Sequence, residues 1–428
     1  MSMDGVPVRW SKPALVAFRF CFAYLVLYNF AAIFWFLPWK GEWLAEKYGW
    51  PWDKLVVWVG DTCFGVDARS HPTGSGDTWQ AYVLTVVNLG LSVVATVVWS
   101  VLDRRSESYP RLLDGLRSMV RLVLGMTLIS YGLAKVFYTQ FPFPDGERLA
   151  RTYGESSPMG LLWTFMGYSF GYNLFTGGVE CLGGLLLLWR RTSLLGALLS
   201  AAAMLQVFVL NLCYDVPVKL YSLHLLLMAV WLVLPELRRL VDFFVLHRTV
   251  EPRPLRAPFQ RRWIERARRP VKLLAIGFML YKLVDGELET YNEYGPGKAR
   301  HPLQNIYKVE TQTVGGVAQP ALVGDATRWK RFTIWMYQRA TVTFMDDHQA
   351  RYQWALDETA STITLTSTDE PKGKDLVLRY TRPDAEHLDL AADVDGQPHA
   401  WRVTIVPRSS FLLVKRGFHW HQELPFNR

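Results

Sequence analysis

Cysteine is nearly absent from this sequence: four residues in 428, Cys21, Cys63, Cys181 and Cys213, with no CxxC pair and no zinc-ligand spacing. That scarcity excludes a disulfide-stapled scaffold and a cysteine-based zinc module. A redox dithiol would need distant pairing, with Cys63 and Cys213 as candidates because both are expected on the outer side; apolar packing is the expectation for all four. No motif for haem, an iron–sulfur cluster or a flavin is present, so any electrons would come from a redox partner protein or a diffusible thiol. A cleavable signal peptide is also missing from the expected features. The first apolar block runs about 24 residues, too long for a signal core, and has no small-residue cleavage site.

What the chain has in abundance is hydrophobic runs. Half its residues are apolar and 14% aromatic. They cluster into blocks able to cross ~30 Å of hydrocarbon as helices. Six such blocks run over residues 14–37, 79–102, 116–138, 172–189, 193–213 and 217–234, and a shorter seventh over 271–284 ends near Lys282, which can snorkel. Lys and Arg divide unequally between alternate connections, nineteen on one side and seven on the other. The excess marks the cytoplasmic side, so the N-terminus is predicted to be cytoplasmic and everything after about Asp285 outside. The net charge of +9 follows from the same bias. Between Arg253 and Lys272 eight basic residues accompany only Glu265, which fits a lipid-surface anchor. Few aromatic residues interleave there, which argues against nucleic acid.

The spacing predicts four regions: an N-terminal pair of spans over 1–115, a four-helix membrane core over 116–249, a basic linker with the seventh span over 250–295, and an extracytoplasmic β domain over 296–428. Trp43, Trp50, Trp52 and Trp58 with their charged neighbours read as a segment lying in the outer membrane interface. The stretch from Phe141 reads as a polar outer loop, followed by a short interfacial or re-entrant piece from Met159. Beyond Gly295-Pro296-Gly297 the period switches to two. Nine candidate strands follow, from "IYKVETQTV" to "FLLVK", with turns at "DDHQ", "RPDAE" and "VDGQ", as in a small barrel or sandwich.

Within the spans, polar residues gather toward one end. Counted from the outer ends, Asn29, Asn88, Lys135, Glu180, Gln206, Asn211 and His224 all fall within the outer ~14 Å. Glu180 shares a helix face with Gly177 and Gly184, so it points at another helix, with Lys135 as its best counter-charge and His224 as second choice. Two readings stay open. One is a buried ion pair that fixes helix register without chemistry; the other is an outward-facing polar pocket in which Lys135, Glu180 and His224 bind a ligand and handle its protons, with Asn29, Asn88, Gln206 and Asn211 lining it. In the tail, His419, His421 and Glu423 alternate on an expected strand, but without a further ligand no metal site is assigned.

The stretch "RLVLGMTLISYGLAKVF", with Arg121, Gly125, Gly132 and Lys135, resembles the first helix of the DoxX family. The run "VECLGGLLLLWRRTSLLGALLSAAAMLQVF" resembles that family's next two helices, its glutamate falling on Glu180, and "RGFHWHQELPFNR" resembles the end of longer bacterial DoxX-like proteins with an added β domain. The likeness covers residues 116–234; two spans precede it and one follows. It implies a bacterial inner-membrane protein linked to quinone or thiol redox systems. The expected functions are therefore a redox component using a quinone, a small-ligand binding or transport protein, or an envelope scaffold without catalysis. The lipid bilayer is the expected partner in each case.

Overall fold

The computed structural model describes residues 9–34, 41–71, 73–251, 262–335, 338–369 and 373–427. The chain divides into two compact units: Met1–Gln140 with Phe170–Glu289, and Phe141–Ser169 with Thr290–Arg428. Helices, numbered along the chain, are α1 (Lys12–Phe34), α2 (Gly41–Val59), α3 (Trp79–Leu102), α4 (Pro110–Val136), α5 (Gly146–Ala150), α6 (Pro158–Tyr168), α7 (Phe170–Leu188), α8 (Ser193–Cys213), α9 (Lys219–Val233), α10 (Leu237–Phe244), α11 (Arg262–Glu293) and α12 (Leu412–Lys415).

Among its described residues, the regular structure of the first unit is all helix. Its starts carry the expected chemistry: the Thr78 hydroxyl accepts the Ala81 N–H at 3.3 Å ahead of α3, and Pro110 occupies the first turn of α4, where no N–H is needed. In the bundle α1 packs on α3, α4 on α7, α7 on α8 and α8 on α9. Val120, Leu124, Leu128, Leu187, Ala197 and Ala229 are sealed inside. The outer face of α3, by contrast, bares Val93, Val94, Val97, Val98 and Val101. Five helical stretches among the described residues are long and apolar enough to cross a membrane: Lys12–Ala32, Trp79–Leu102, Pro110–Val136, Ser193–Cys213 and Lys219–Phe244. That is the signature of a membrane protein.

Two of the seven expected spans do not reach that standard. α7 is a full-length helix, but Asn173, Glu180 and its glycines dilute its hydropathy. The expected span over 271–284 is the middle of α11, a 32-residue helix with Pro270 inside it and charged turns at both ends. The end of the first expected span, residues 35–37, and much of the basic run between Arg253 and Lys272 lie outside the described residues. The tryptophan-rich segment is helix α2, with Pro51 inside it.

Among its described residues the second unit holds nine strands: β1 (Ile306–Val314), β2 (Val317–Ala318), β3 (Trp329–Ile334), β4 (Arg339–Phe344), β5 (Gln349–Asp357), β6 (Thr362–Ser367), β7 (Leu376–Thr381), β8 (His387–Val394) and β9 (Gln397–Ile405). Of the two alternatives, the barrel forms. Each strand pairs antiparallel with the next in the order β1-β3-β4-β5-β6-β7-β8-β9, and β9 closes on β1 from Tyr307↔Ile405 to Val314↔His399. β2 only extends β1 through the Gly315-Gly316 turn, where both residues have positive φ. Alternation sends Phe332, Val342, Ile363, Leu365, Leu378 and Val403 inward to a core with no measurable exposure, and Trp329 stacks on Trp401 at 4.4 Å. Buried Arg328 donates to the carbonyls of Gln319 at 3.1 Å and Glu310 at 3.2 Å.

Two sequence readings change here. "FLLVK" is not a strand: after Pro407 the chain makes a 3-10 turn and the short helix α12. And the stretch from Phe141, expected as a loop of the membrane core, packs on the barrel. Arg331 donates to the Ala150 carbonyl at 2.9 Å and Arg408 to that of Pro144 at 2.8 Å. A Cβ on Gly146 would sit 2.6 Å from the Ile306 side chain, so the contact needs glycine.

Candidate functional site

The site in the helical unit begins with two glycine contacts between the antiparallel helices α4 and α7. A Cβ on Gly132 would meet the Gly177 carbonyl oxygen at 2.6 Å, and one on Gly184 would meet the Gly125 carbonyl oxygen at 2.5 Å. Both pairs are seven residues apart on their helices, so one face of each helix lies backbone to backbone on the other. Lys135 and Glu180 each stand three residues past a glycine of the Gly132–Gly177 contact. Side chains lean toward the N-terminus of their own helix, and in an antiparallel pair those directions converge. Lys135 Nζ accordingly donates to Glu180 Oε2 at 2.7 Å, with the two side chains 7% and 3% exposed. The partner expected for Glu180 is therefore the one it has.

Lys135 Nζ also lies 5.8 Å from the centroid of the Tyr131 ring, one helical turn earlier, and Tyr131 contacts Tyr221 of α9 ring to ring. Tyr28 stacks on Tyr24 at 6.1 Å. His224 belongs to this aromatic cluster and is not the partner of Glu180. Its ring stacks on Tyr28 at 4.2 Å, nearly parallel. Nδ1 lies 2.7 Å from the Leu220 carbonyl, which can only accept, so Nδ1 carries the proton and Nε2 accepts the Tyr24 hydroxyl at 2.6 Å. The start of α9 is fixed by Asp77, which accepts the backbone N–H groups of Lys219 and Leu220 at 2.9 Å each.

The four amide residues divide. Asn211 donates to Ser222 Oγ at 3.0 Å and ties α8 to α9. Asn29, equally buried, donates to the Leu25 carbonyl of its own helix at 2.8 Å. Asn88 is buried in α3, where Ser92 and Thr96 below it return their hydroxyls to backbone carbonyls. Gln206 is exposed on the surface of α8, apart from the buried polar groups. Position along a helix carries no information about facing.

Several residues escaped the sequence reading. Tyr24, Tyr28, Tyr131 and Tyr221 surround the expected groups, and Tyr131 stands four residues before Lys135 and Tyr221 three before His224, a spacing that would have flagged them. Fully buried Asn173 sits seven residues before Glu180, on the same face. Arg19 is buried and satisfied by Tyr109 Oη at 2.6 Å, Ser100 Oγ at 2.9 Å and the Asp103 carbonyl at 2.7 Å. Cys63 and Cys213 are both free and exposed, so neither the disulfide nor apolar packing inside the protein describes them. His419, His421 and Glu423 lie in an exposed, irregular tail and not on a strand. Among the described residues no group of three or more His, Cys, Asp or Glu could hold a metal.

Over 126 residues the chain is 35% identical to the uncharacterized protein YwoB of Bacillus subtilis (strain 168), a stretch covering 29% of this chain and 79% of that protein. The chain belongs to the YwoB family. No family model and no solved structure matches it. The name of YwoB carries no activity, so membership of the YwoB family gives this chain a relative and leaves its chemistry to be argued from the residues above.

Proposed function

We propose that this YwoB-family chain is an integral membrane protein, N-terminus cytoplasmic and β-barrel extracytoplasmic, that binds a quinone-type ligand beside the Lys135–Glu180 pair. The observation that carries this reading is the pair itself: a salt bridge buried between glycine-packed helices, next to four tyrosines and a histidine of fixed tautomer. Burying two charges is expensive and seldom adds stability over apolar packing. A ligand whose carbonyls accept hydrogen bonds and whose reduction takes up protons gives such groups a use: Lys135 and Tyr131 to donate, Glu180 and the Tyr24–His224 pair to pass protons. Flat aromatic walls suit a ring-shaped headgroup. The DoxX-like motif around Gly132 and Lys135 agrees with this class. Electrons would come from a redox partner protein.

One observation favours a second reading, a helix lock without chemistry: Asn29 and Asn211 already have partners inside the protein. Solvent extraction of the purified full chain, followed by mass analysis, separates the two. The quinone reading expects bound quinone in the wild type and its loss in Glu180→Gln with the fold retained. Quinone absent from both samples, or equal in both, leaves the helix lock.

A further inference from the structure

A groove of about 580 Å³ runs between α5 and α6 on one wall and β4 and β5 on the other, all within the second unit. Four arginines line it, Arg148, Arg151, Arg339 and Arg351, against two acidic residues, Asp145 and Glu147. Both carboxylates are committed elsewhere. Asp145 accepts the Arg148 backbone N–H at 2.8 Å as the N-cap of α5, and Glu147 pairs with Arg151 and accepts the Thr341 hydroxyl at 3.2 Å. Arg351 has Asp369 at 3.8 Å. The guanidinium groups of Arg148 and Arg339 make no hydrogen bond or ion pair among the described residues, and both arginines line the same groove.

Like charges that line one groove repel each other, and an anion between them relieves that repulsion. Burial already pulls Arg148 below the usual arginine range, Asp145 acting the other way and Arg151 with it. Guanidinium forks match phosphate oxygens two at a time. Elsewhere the groove is lined by Ser156, Thr164 and Gln353, residues that carry hydroxyl and amide groups. Such a lining suits a hydroxylated ligand, and the volume falls in the range of small-molecule sites.

We propose that this groove binds a phosphate-bearing polar ligand, with the phosphate between Arg148 and Arg339 and its hydroxylated remainder against the Ser156 and Gln353 wall. The same chemistry occurs in soluble glycerol phosphate and in the headgroup of phosphatidylglycerol. This site is independent of the one in the helical unit, and either can fail alone.

The test is calorimetric titration of the purified full chain with glycerol phosphate and, separately, with detergent micelles carrying phosphatidylglycerol or phosphatidylcholine. Saturable binding of glycerol phosphate assigns a soluble ligand. Binding of phosphatidylglycerol micelles alone assigns a lipid headgroup. Arg339 is exposed, so Arg339→Gln leaves the barrel intact, and it should weaken whichever probe binds by about tenfold, the effect of one charged hydrogen bond. Arg148→Gln should do at least as much. Failure of the wild type to bind either phosphate probe, equal binding of phosphatidylcholine, or unaltered affinity in Arg339→Gln would overturn the proposal.

Discussion

Gly132 and Gly177 meet backbone to backbone, and a Cβ on Gly177 would lie 2.5 Å from the Gly132 carbonyl oxygen and 2.8 Å from the Lys135 Cβ. Neither obstacle is the loose end of a flexible side chain. Gly177→Ala should therefore cost about 1–3 kcal/mol by forcing α4 and α7 apart. Gly178, the next residue, has nothing within 4 Å of a Cβ. Gly178→Ala should be neutral or stabilise by up to ~1 kcal/mol through helix propensity. Thermal unfolding of the two variants side by side checks the contrast; equal effects would remove the glycine crossing as the device that builds the site.

The Lys135–Glu180 pair gives a double-mutant cycle. Removing one partner leaves the other charge buried alone, at a cost of about 3–5 kcal/mol. Lys135→Met combined with Glu180→Gln should destabilise less than either single change. Additive effects on thermal stability would mean the two groups do not interact energetically, whatever their separation.

Asn211 and Gln206 lie five residues apart on α8 and are chemically close, yet they face opposite ways. Asn211→Leu removes the hydrogen bond between α8 and α9, although Ser222 keeps its own bond to the Val218 carbonyl, and should cost about 1 kcal/mol. Gln206→Leu changes an exposed position on an apolar helix face and should leave stability unchanged or raise it. Loss of stability in both would place Gln206 back among the packed residues.

Asp145 offers a pH test in the second unit. Burial pushes its carboxyl above the usual carboxylate range, while the Arg148 N–H and guanidinium hold it down. Because the folded state then keeps the proton longer than the unfolded one, this group's contribution to stability falls as pH rises from the ordinary carboxylate value through the raised one. Asp145→Asn keeps an N-cap acceptor and removes the titration. Relative to the variant, the wild type should lose thermal stability over the interval in which pH rises above about 4. A relative gain over that interval would reverse the sign and overturn the assignment.

By itself the sequence determined the long apolar helices and the eight strands that close the barrel. Long apolar runs cannot satisfy their backbone in lipid except as helices, and the period-two alternation of "IYKVETQTV" and "TITLTS" fits only a pleated sheet with one face buried. It also determined the Lys135–Glu180 contact, because Gly132-x-x-Lys135 and Gly177-x-x-Glu180 encode both the close approach and the direction of each side chain. Tertiary structure decided the rest. Counting residues along a span gives depth but not rotation, so Gln206 and Asn211 looked alike until α8 had neighbours. Closure of the barrel depends on β1 meeting β9, residues far apart in the chain whose pairing no local pattern records. The segment from Phe141 has too little apolar surface to declare a partner, and only its contacts with Ile306, Arg331 and Arg408 join it to the β-barrel, where it builds the arginine-lined groove.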